Sequence, residues 1–473
     1  MVKKILVQRA DRLGDLVFSL PVIQTLRDNY PNAYIVLLTS EIGTELVQNY
    51  SAIDDIVTVQ FRKGKLVNRS TLIQKIKSQQ FDIYISLWNH PDMARLGYKC
   101  KIPMRIGDGS NLLLRRFYNR SVTQNWCDYS RHQVDFNLDL LQPLKLSSIS
   151  YNIPFSASEC SKLYTDNLFE KKLDKTKKTL LIFVSTGGSN YPIPFEAVVS
   201  FIKKVHDIGL FNIILCGEPG PGYYKKLLSD SMVLDLVGKT TIIQMVGICE
   251  RSHFVIGPDT GLTHLAALFD KPILFFSPIK PNPPVRWGPS SPYVKILRQE
   301  YRCQCVGTNL CNPSECFGYV DGDLLYRLFT ELMNDVSLNQ ELNVSSRRRL
   351  FLLSSIRVLY IVRSQFEYDT AFSLLKQFRR EGLIVFPFVI LKWDFASIRF
   401  VLKYISQNNI NVVQGSVPLF IRFLVSFYLG TILQYVKPIF ISTPFQHFIS
   451  LKDYLSFYCL KWNKCNRNSF THL

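Results

Sequence analysis

The sequence predicts an α/β fold of parallel, doubly wound sheets, and three observations carry that prediction. Strand-like apolar runs recur along the chain, as in KILVQR (4–9), AYIVLLTS (33–40) and LLIFVSTGG (180–188). Stretches with helical spacing of apolar residues stand between them, notably 15–31 and 194–209. Each strand then gives way to small or polar residues, and in an open parallel sheet that edge is where ligands bind.

Taken in order, the first unit is expected over 1–165. Its strands lie in KILVQR, AYIVLLTS, IDDIVTV (53–59) and FDIYISLW (81–88), and one helix over 15–31 ends near Pro31. The charged stretch FEKKLDKTKKT (169–179) reads as a linker or a solvated face. A second unit is expected over 178–335, with strands in LLIFVSTGG, FNIILCGEPGPG (211–222), MVLDLVG (232–238), HFVIGPDTG (253–261) and PILFFSP (272–278). The remainder, 345–473, holds further strand-like runs in RVLYIVR, LIVFPFVILKW, INVVQGS and KPIFIST. It reads either as another, partial Rossmann-like domain or as a basic amphipathic extension.

The whole chain supports this division. At 473 residues and 47% hydrophobic composition it can bury two or three cores. A formal net charge of +19 favours an anionic partner: nucleic acid, an acidic membrane face or a phosphorylated substrate. The apolar run before Arg9, Asp11 and Arg12 is too short for a signal peptide, so a cytoplasmic chain is expected. The longest apolar stretch, 417–436, would carry Arg422 into the hydrocarbon, which favours a buried or interfacial helix over a span. Cys216 and Cys249, in apolar surroundings, read as reduced buried thiols.

The chemistry concentrates at strand ends. In GPDTGLTHLAA (257–267) a strand runs into a helix whose first amides suit a diphosphate. Asp259 caps that helix or holds sugar hydroxyls, Gly261 keeps the approach open, and His264 falls one turn in. STGGSN (185–190), with Thr186 and Gly187, has the small composition that lets amides approach phosphate, and Glu218 in CGEPGPG stands where ribose hydroxyls would need an acceptor. Near the start, RADRLGDLVFSLP places Asp15 where strand turns to helix, as a helix cap or a general base. Arg9 and Arg12 flank it as expected acceptor-binding cations.

Together, RLGDLVFSLPVIQTLRDNYPNAYIVLLTS and VGKTTIIQMVGICERSHFVIGPDTGLTHLAALFDKPILFFSP resemble the bacterial heptosyltransferases of glycosyltransferase family 9, which build the inner core of lipopolysaccharide. The resemblance runs from residue 1 to about 335. It implies two facing Rossmann-like domains, the B-type glycosyltransferase fold, and a nucleotide-sugar donor such as ADP-heptose held mainly by the second. It also implies metal-independent transfer with inversion. By resemblance Asp15 matches the catalytic base, Asp259, Thr260, Gly261 and His264 the donor-binding turn, Thr186 the phosphate loop, and Glu218 the ribose-side acid. One departure stands out: the family's loop lysine before a Trp-Pro pair is missing, since TGGSNYPIP has Tyr191 and Pro192 and no lysine after Thr186.

Three further stretches have chemical potential. Cys303, Cys305, Cys311 and Cys316 fall within fourteen residues and read as reduced thiols, a structural zinc site or disulfides. DGD (321–323) reads as a helix cap rather than a metal-binding carboxylate pair. RRFYNR (115–120) suits phosphates on an acceptor or a membrane surface, and no nucleic-acid motif accompanies it. The expectation is therefore an inverting glycosyltransferase, peripheral on the inner face of the cytoplasmic membrane, that takes a lipid-linked phosphorylated saccharide acceptor and needs no catalytic cofactor. The alternatives are a transferase using another nucleotide sugar for surface polysaccharide, and a noncatalytic nucleotide-sugar-binding protein.

Overall fold

The computed structural model describes residues 4–126, 131–186, 191–218, 232–277, 284–297 and 320–338, with strands at 357–362, 384–389, 412–415 and 439–441. Two compact units result: residues 1–125 with 132–342, and residues 126–131 with 343–473.

In the larger unit, β1 (Lys4–Gln8) leads to α1 (Leu13–Val17), α2 (Leu20–Asn29), β2 (Tyr34–Thr39), α3 (Glu41–Val47) and β3 (Asp55–Thr58). A hairpin of β4 (Phe61–Arg62) and β5 (Lys65–Leu66) precedes α4 (Arg69–Ser78), β6 (Ile83–Ser86) and α5 (Pro91–Lys99). Then follow β7 (Met104–Asp108), α6 (Leu112–Arg115), β8 (Arg120–Val122) and α7 (Gln133–Asp139). The first sheet is wholly parallel in the order β3-β2-β1-β6-β7-β8, so the strand order reverses between β1 and β6.

The connecting helix α8 (Glu159–Lys172) leads to β9 (Lys178–Phe183), α9 (Phe195–Ile208), β10 (Phe211–Cys216), β11 (Leu234–Asp235) and α10 (Ile242–Arg251). After these come β12 (Phe254–Pro258), α11 (Gly261–Ala267), β13 (Ile273–Phe276), α12 (Pro284–Trp287), β14 (Val294–Leu297) and α13 (Gly322–Leu338). The second sheet repeats the first topology, β11-β10-β9-β12-β13-β14, and reverses between β9 and β12. In the smaller unit, β15 (Arg357–Val362), β16 (Ile384–Val389), β17 (Val412–Gly415) and β18 (Ile439–Ile441) form a parallel sheet in the order β16-β15-β17-β18. The four strand-like runs read from this region are therefore strands.

Side chains alternate across each strand, and this sorts the cores. Leu181 and Phe183 point to one face of the second sheet, Leu180 and Ile182 to the other, against α9 and α13. In the first sheet Ile5 and Val7 oppose Leu6 in the same way. The inner faces merge: Leu16, Phe18 and Val47 of the first half share one apolar core with Phe183, Val246 and Leu265 of the second.

The structure refines the sequence reading at several places. The helix over 15–31 is broken at Phe18 and Ser19, because Pro21 has no N–H and its ring crowds the carbonyl four residues back. Val22 N donates to Ser19 O rather than to Phe18 O, and the Phe18 carbonyl accepts a hydrogen bond from Asn137 Nδ2 at 2.9 Å. Of the two readings of 169–179 the solvated face holds: most of the stretch is exposed, its first four residues complete α8, and β9 begins at Lys178. Strands β7, β8 and β14 escaped the sequence reading because Arg105, Arg120 and Lys295 interrupt their apolar runs, and β8 and β14 are edge strands. The cap read at DGD is present, with Leu324 N donating to Asp321 Oδ1 at 2.7 Å. The apolar stretch 417–436 lies outside the described residues, among which no helix is long and apolar enough to cross a membrane.

Helix α8 joins the halves through α10. Gly247 N donates to Ser161 Oγ at 2.9 Å, and Ser161 Oγ in turn donates to Ile243 O. A Cβ at Gly247 would lie 2.4 Å from Thr165 Oγ1 and 2.7 Å from the Ser161 carbonyl oxygen. Gly247→Ala is therefore expected to cost about 1–3 kcal/mol by overpacking, measured by urea unfolding; unchanged stability would mean that α8 and α10 are not this close.

Candidate functional site

Both strand-order reversals carry polar residues, as the topology of open parallel sheets favours. In the second sheet β10, β9 and β12 are neighbours, so Glu218, Thr186 and Asp259 follow three adjacent strands on one edge. Glu218 is exposed, and its backbone N–H donates to Ser185 Oγ at 2.7 Å, tying the first two strand ends together. Gly217 between them has φ +140°, and a Cβ there would lie 2.4 Å from Ser185 Oγ, so the turn needs glycine. Gly187 lies outside the described residues. Tyr191 packs against the outer core beside α9.

At the end of β12 the chain folds back as α11. Thr260, the residue after Asp259, is the N-cap, without a side-chain hydrogen bond. The carboxylate of Asp259 is directed to the histidine of the same turn, lying 3.2 Å from Nε2 of His264, which is buried one turn in. Thr263 Oγ1 donates to Pro258 O at 2.8 Å and sits where a Cβ on Gly257 would be, which brings the helix down onto its strand.

In the first sheet the segment after β1 holds a buried ion cluster. Arg9 Nε meets Asp11 Oδ1 and its Nη2 meets Asp15 Oδ1, both at 2.7 Å, and Nη1 donates to Leu87 O after β6. The Arg9 guanidinium is thus buried with its partners inside the protein. Arg12, the N-cap of α1, is exposed. Burial pushes the Asp11 carboxyl up to about 6, with Arg9 opposing and Asp15 adding to the rise.

The two halves meet where α1 crosses α11. A Cβ on Gly14 would lie 2.8 Å from His264 Cδ2, and one on Gly261 would lie 2.8 Å from Leu13 Cβ and 3.1 Å from Gly14 N. The structure therefore brings Asp15 and the Asp259–His264 turn to one place. Around it Phe18 packs on His264 and His132, with ring centroids 4.6 and 4.9 Å apart. His132 Nε2 donates to Gly288 O at 2.9 Å while Nδ1 accepts from Val134 N, which requires the neutral ring. Burial is the main reason its pKa falls to about 4. Arg286, fully buried, stacks over Phe136 at 4.4 Å and donates to Gln133 Oε1.

His132, Gln133 and Arg286 escaped the sequence reading because they lie 153 or more residues apart in pairs, and no local pattern marks them. Trp88 and His90, at the end of β6, were missed too. They stack with centroids 4.5 Å apart and both meet Phe61 of the hairpin. Cys303, Cys305, Cys311 and Cys316 lie outside the described residues; among the described ones no group of acidic, histidine and cysteine residues is arranged to hold a metal. Cys216 and Cys249 are buried free thiols.

Comparison with known proteins agrees with this architecture. The profile of glycosyltransferase family 9 (heptosyltransferase) matches residues 69–312. A Haemophilus influenzae protein described as a glycosyltransferase is 24% identical over 61% of this chain and 86% of its own. Lipopolysaccharide heptosyltransferase 3 of Escherichia coli K12 is 22% identical over 55% of this chain and 78% of its own. In three dimensions the E. coli ADP-heptose lipopolysaccharide heptosyltransferase II superposes with a TM-score of 0.55 at 18% identity, covering 71% of this chain and 99% of that one, which shows a common fold.

Two pH effects of opposite sign follow. His132 has a depressed pKa, so its contribution to stability is present above 6.5 and lost as pH falls toward 4. Asp11 has a raised pKa, so its contribution is present below 3.8 and lost as pH rises through about 6. Unfolding free energies across this range should show the advantage of wild type over His132→Gln growing with pH, and that over Asp11→Asn shrinking. Flat differences would contradict these environments. Gly261→Ala should destabilise by about 1–3 kcal/mol through the α1 backbone, read by the same unfolding measurement.

Proposed function

Because the chain belongs to glycosyltransferase family 9, the heptosyltransferases, and is therefore a glycosyltransferase, we propose that it transfers a heptose-type sugar from ADP-heptose, with inversion, to a hydroxyl of a lipopolysaccharide core or related lipid-linked acceptor. The observation that carries this reading is the Gly14–Gly261 crossing, which sets Asp15 beside the donor-side turn. Arg9 meets Asp15 Oδ1 and leaves Oδ2 for the acceptor. Asp15 takes the proton of the acceptor hydroxyl, the oxygen attacks the anomeric carbon, and the bond from that carbon to the diphosphate breaks as ADP leaves.

In this reading Glu218 accepts from ribose hydroxyls, Thr186 and Gly187 meet the diphosphate, and Asp259 with His264 holds the donor beside the reacting carbon. Gly261 keeps the α11 amides within reach of the leaving diphosphate, and Thr260 stands at the same turn. Exposed Arg12 meets a phosphate of the acceptor. No metal enters the transfer, and the cysteine cluster, whether or not it holds zinc, takes no part. The chain works peripherally on the cytoplasmic face of the inner membrane, where its positive charge meets anionic lipid. The absence of a lysine between Thr186 and Pro192 supports a second reading, in which another nucleotide sugar is the donor.

A thermal-shift titration separates these readings, since a ligand that binds only the folded state raises its apparent stability. ADP should raise the melting temperature with or without magnesium, and UDP and GDP should not. Preference for UDP or GDP would change the donor, and no shift at all would sink both readings. Asp15→Ala should keep the ADP shift while turnover falls by about 10²–10⁴-fold. Unchanged turnover would remove Asp15 as the base.

A further inference from the structure

We propose that the tip formed by α6 is the surface on which this protein docks to an anionic lipid bilayer, with Leu112 and Leu113 entering the interface and Arg115 and Arg116 meeting lipid phosphates. This deepens the membrane reading above by naming the residues that make the contact. Leu112 and Leu113 are 77% and 71% exposed, although both stand on a short helix that is well fastened. Asn111 Oδ1 accepts from the N–H groups of Leu113 and Leu114, and Leu114 is buried beneath with Tyr118 and Ala94. The leucines are thus held outward by a rigid support.

Charge complements the apolar tip. Residues 95–120 hold seven basic residues and a single acid, Asp108, which is 3% exposed and accepts from Ser110. Arg95 and Arg116 lie over the Phe117 ring at 5.7 and 5.0 Å, and half-exposed Tyr98 packs against the same ring at 5.7 Å. Guanidinium groups layered on aromatic rings, with apolar side chains projecting beyond them, suit the headgroup boundary. Two leucines are far too little area for a stable protein interface, which needs about 800 Å² on each partner, yet they suffice for shallow insertion assisted by cations. The placement also fits: α6 follows the end of β7, on the sheet edge that carries Asp15 after β1. A bilayer held there brings the saccharide of a membrane lipid toward that edge.

Vesicle sedimentation of the full chain tests this without any turnover. Wild type should partition onto phosphatidylcholine vesicles containing phosphatidylglycerol and not onto phosphatidylcholine alone, and salt should weaken the binding. The double variants Leu112→Ser/Leu113→Ser and Arg115→Gln/Arg116→Gln should each lower the partition coefficient by roughly tenfold or more, with unchanged melting temperature. If both variants bind like wild type, or wild type ignores phosphatidylglycerol, the proposal is overturned. The ADP-induced thermal shift, read on the same variants, should stay as in wild type. Its absence from every form would count against the donor reading alone and leave the vesicle result standing.

Discussion

The structure depends on a close approach of two backbones. Leu13 and Gly14 of α1 lie against Gly261 and His264 of α11, so that a Cβ would meet the His264 ring at Gly14 and Leu13 at Gly261. Everything proposed for the site follows from that contact, because Asp15 and the turn at Asp259 come from sheets that are otherwise independent in topology. Dispersion and burial supply the adhesion: the inner faces of both sheets share one apolar core, and Phe18 fills the space among His132, His264 and Trp287.

Polar groups within this interface are costly to bury, and several of them find partners across long separations. Arg9 answers two carboxylates and a carbonyl, the Phe18 carbonyl exposed by the helix break is taken by Asn137, and His132 uses both ring nitrogens. Such a network contributes little net stability, since desolvation offsets attraction, but removing one member strands the rest. Its value lies in position. The Asp15 carboxylate is held in a fixed orientation, because a buried guanidinium with three partners holds it more firmly than solvent would.

The same economy explains where charge is placed. Arginine turned inward at Arg9 orders a carboxylate, whereas the exposed arginines of α6 stand beside leucines that no packing demand puts on the surface. Residue type alone does not separate these uses. Burial and partners do.

Much of this was legible in the sequence. Apolar runs ending in glycine and polar residues reveal parallel strands and their ligand edge, because a strand buried on both faces must be apolar and a tight turn near a ligand must be small. GPDTGLTHLAA and RLGD, which also carry the family resemblance, mark both sides of the site. Short charged strands such as β8 and β14 were hidden, since edge positions relax the apolar requirement. What only the tertiary structure decided is which groups meet across long separations. His132 with Gly288, Arg286 with Gln133 and Arg9 with Leu87 are partners because helices of the two halves pack together and two strands run side by side, and no local periodicity encodes a contact between residues 78 to 156 positions apart.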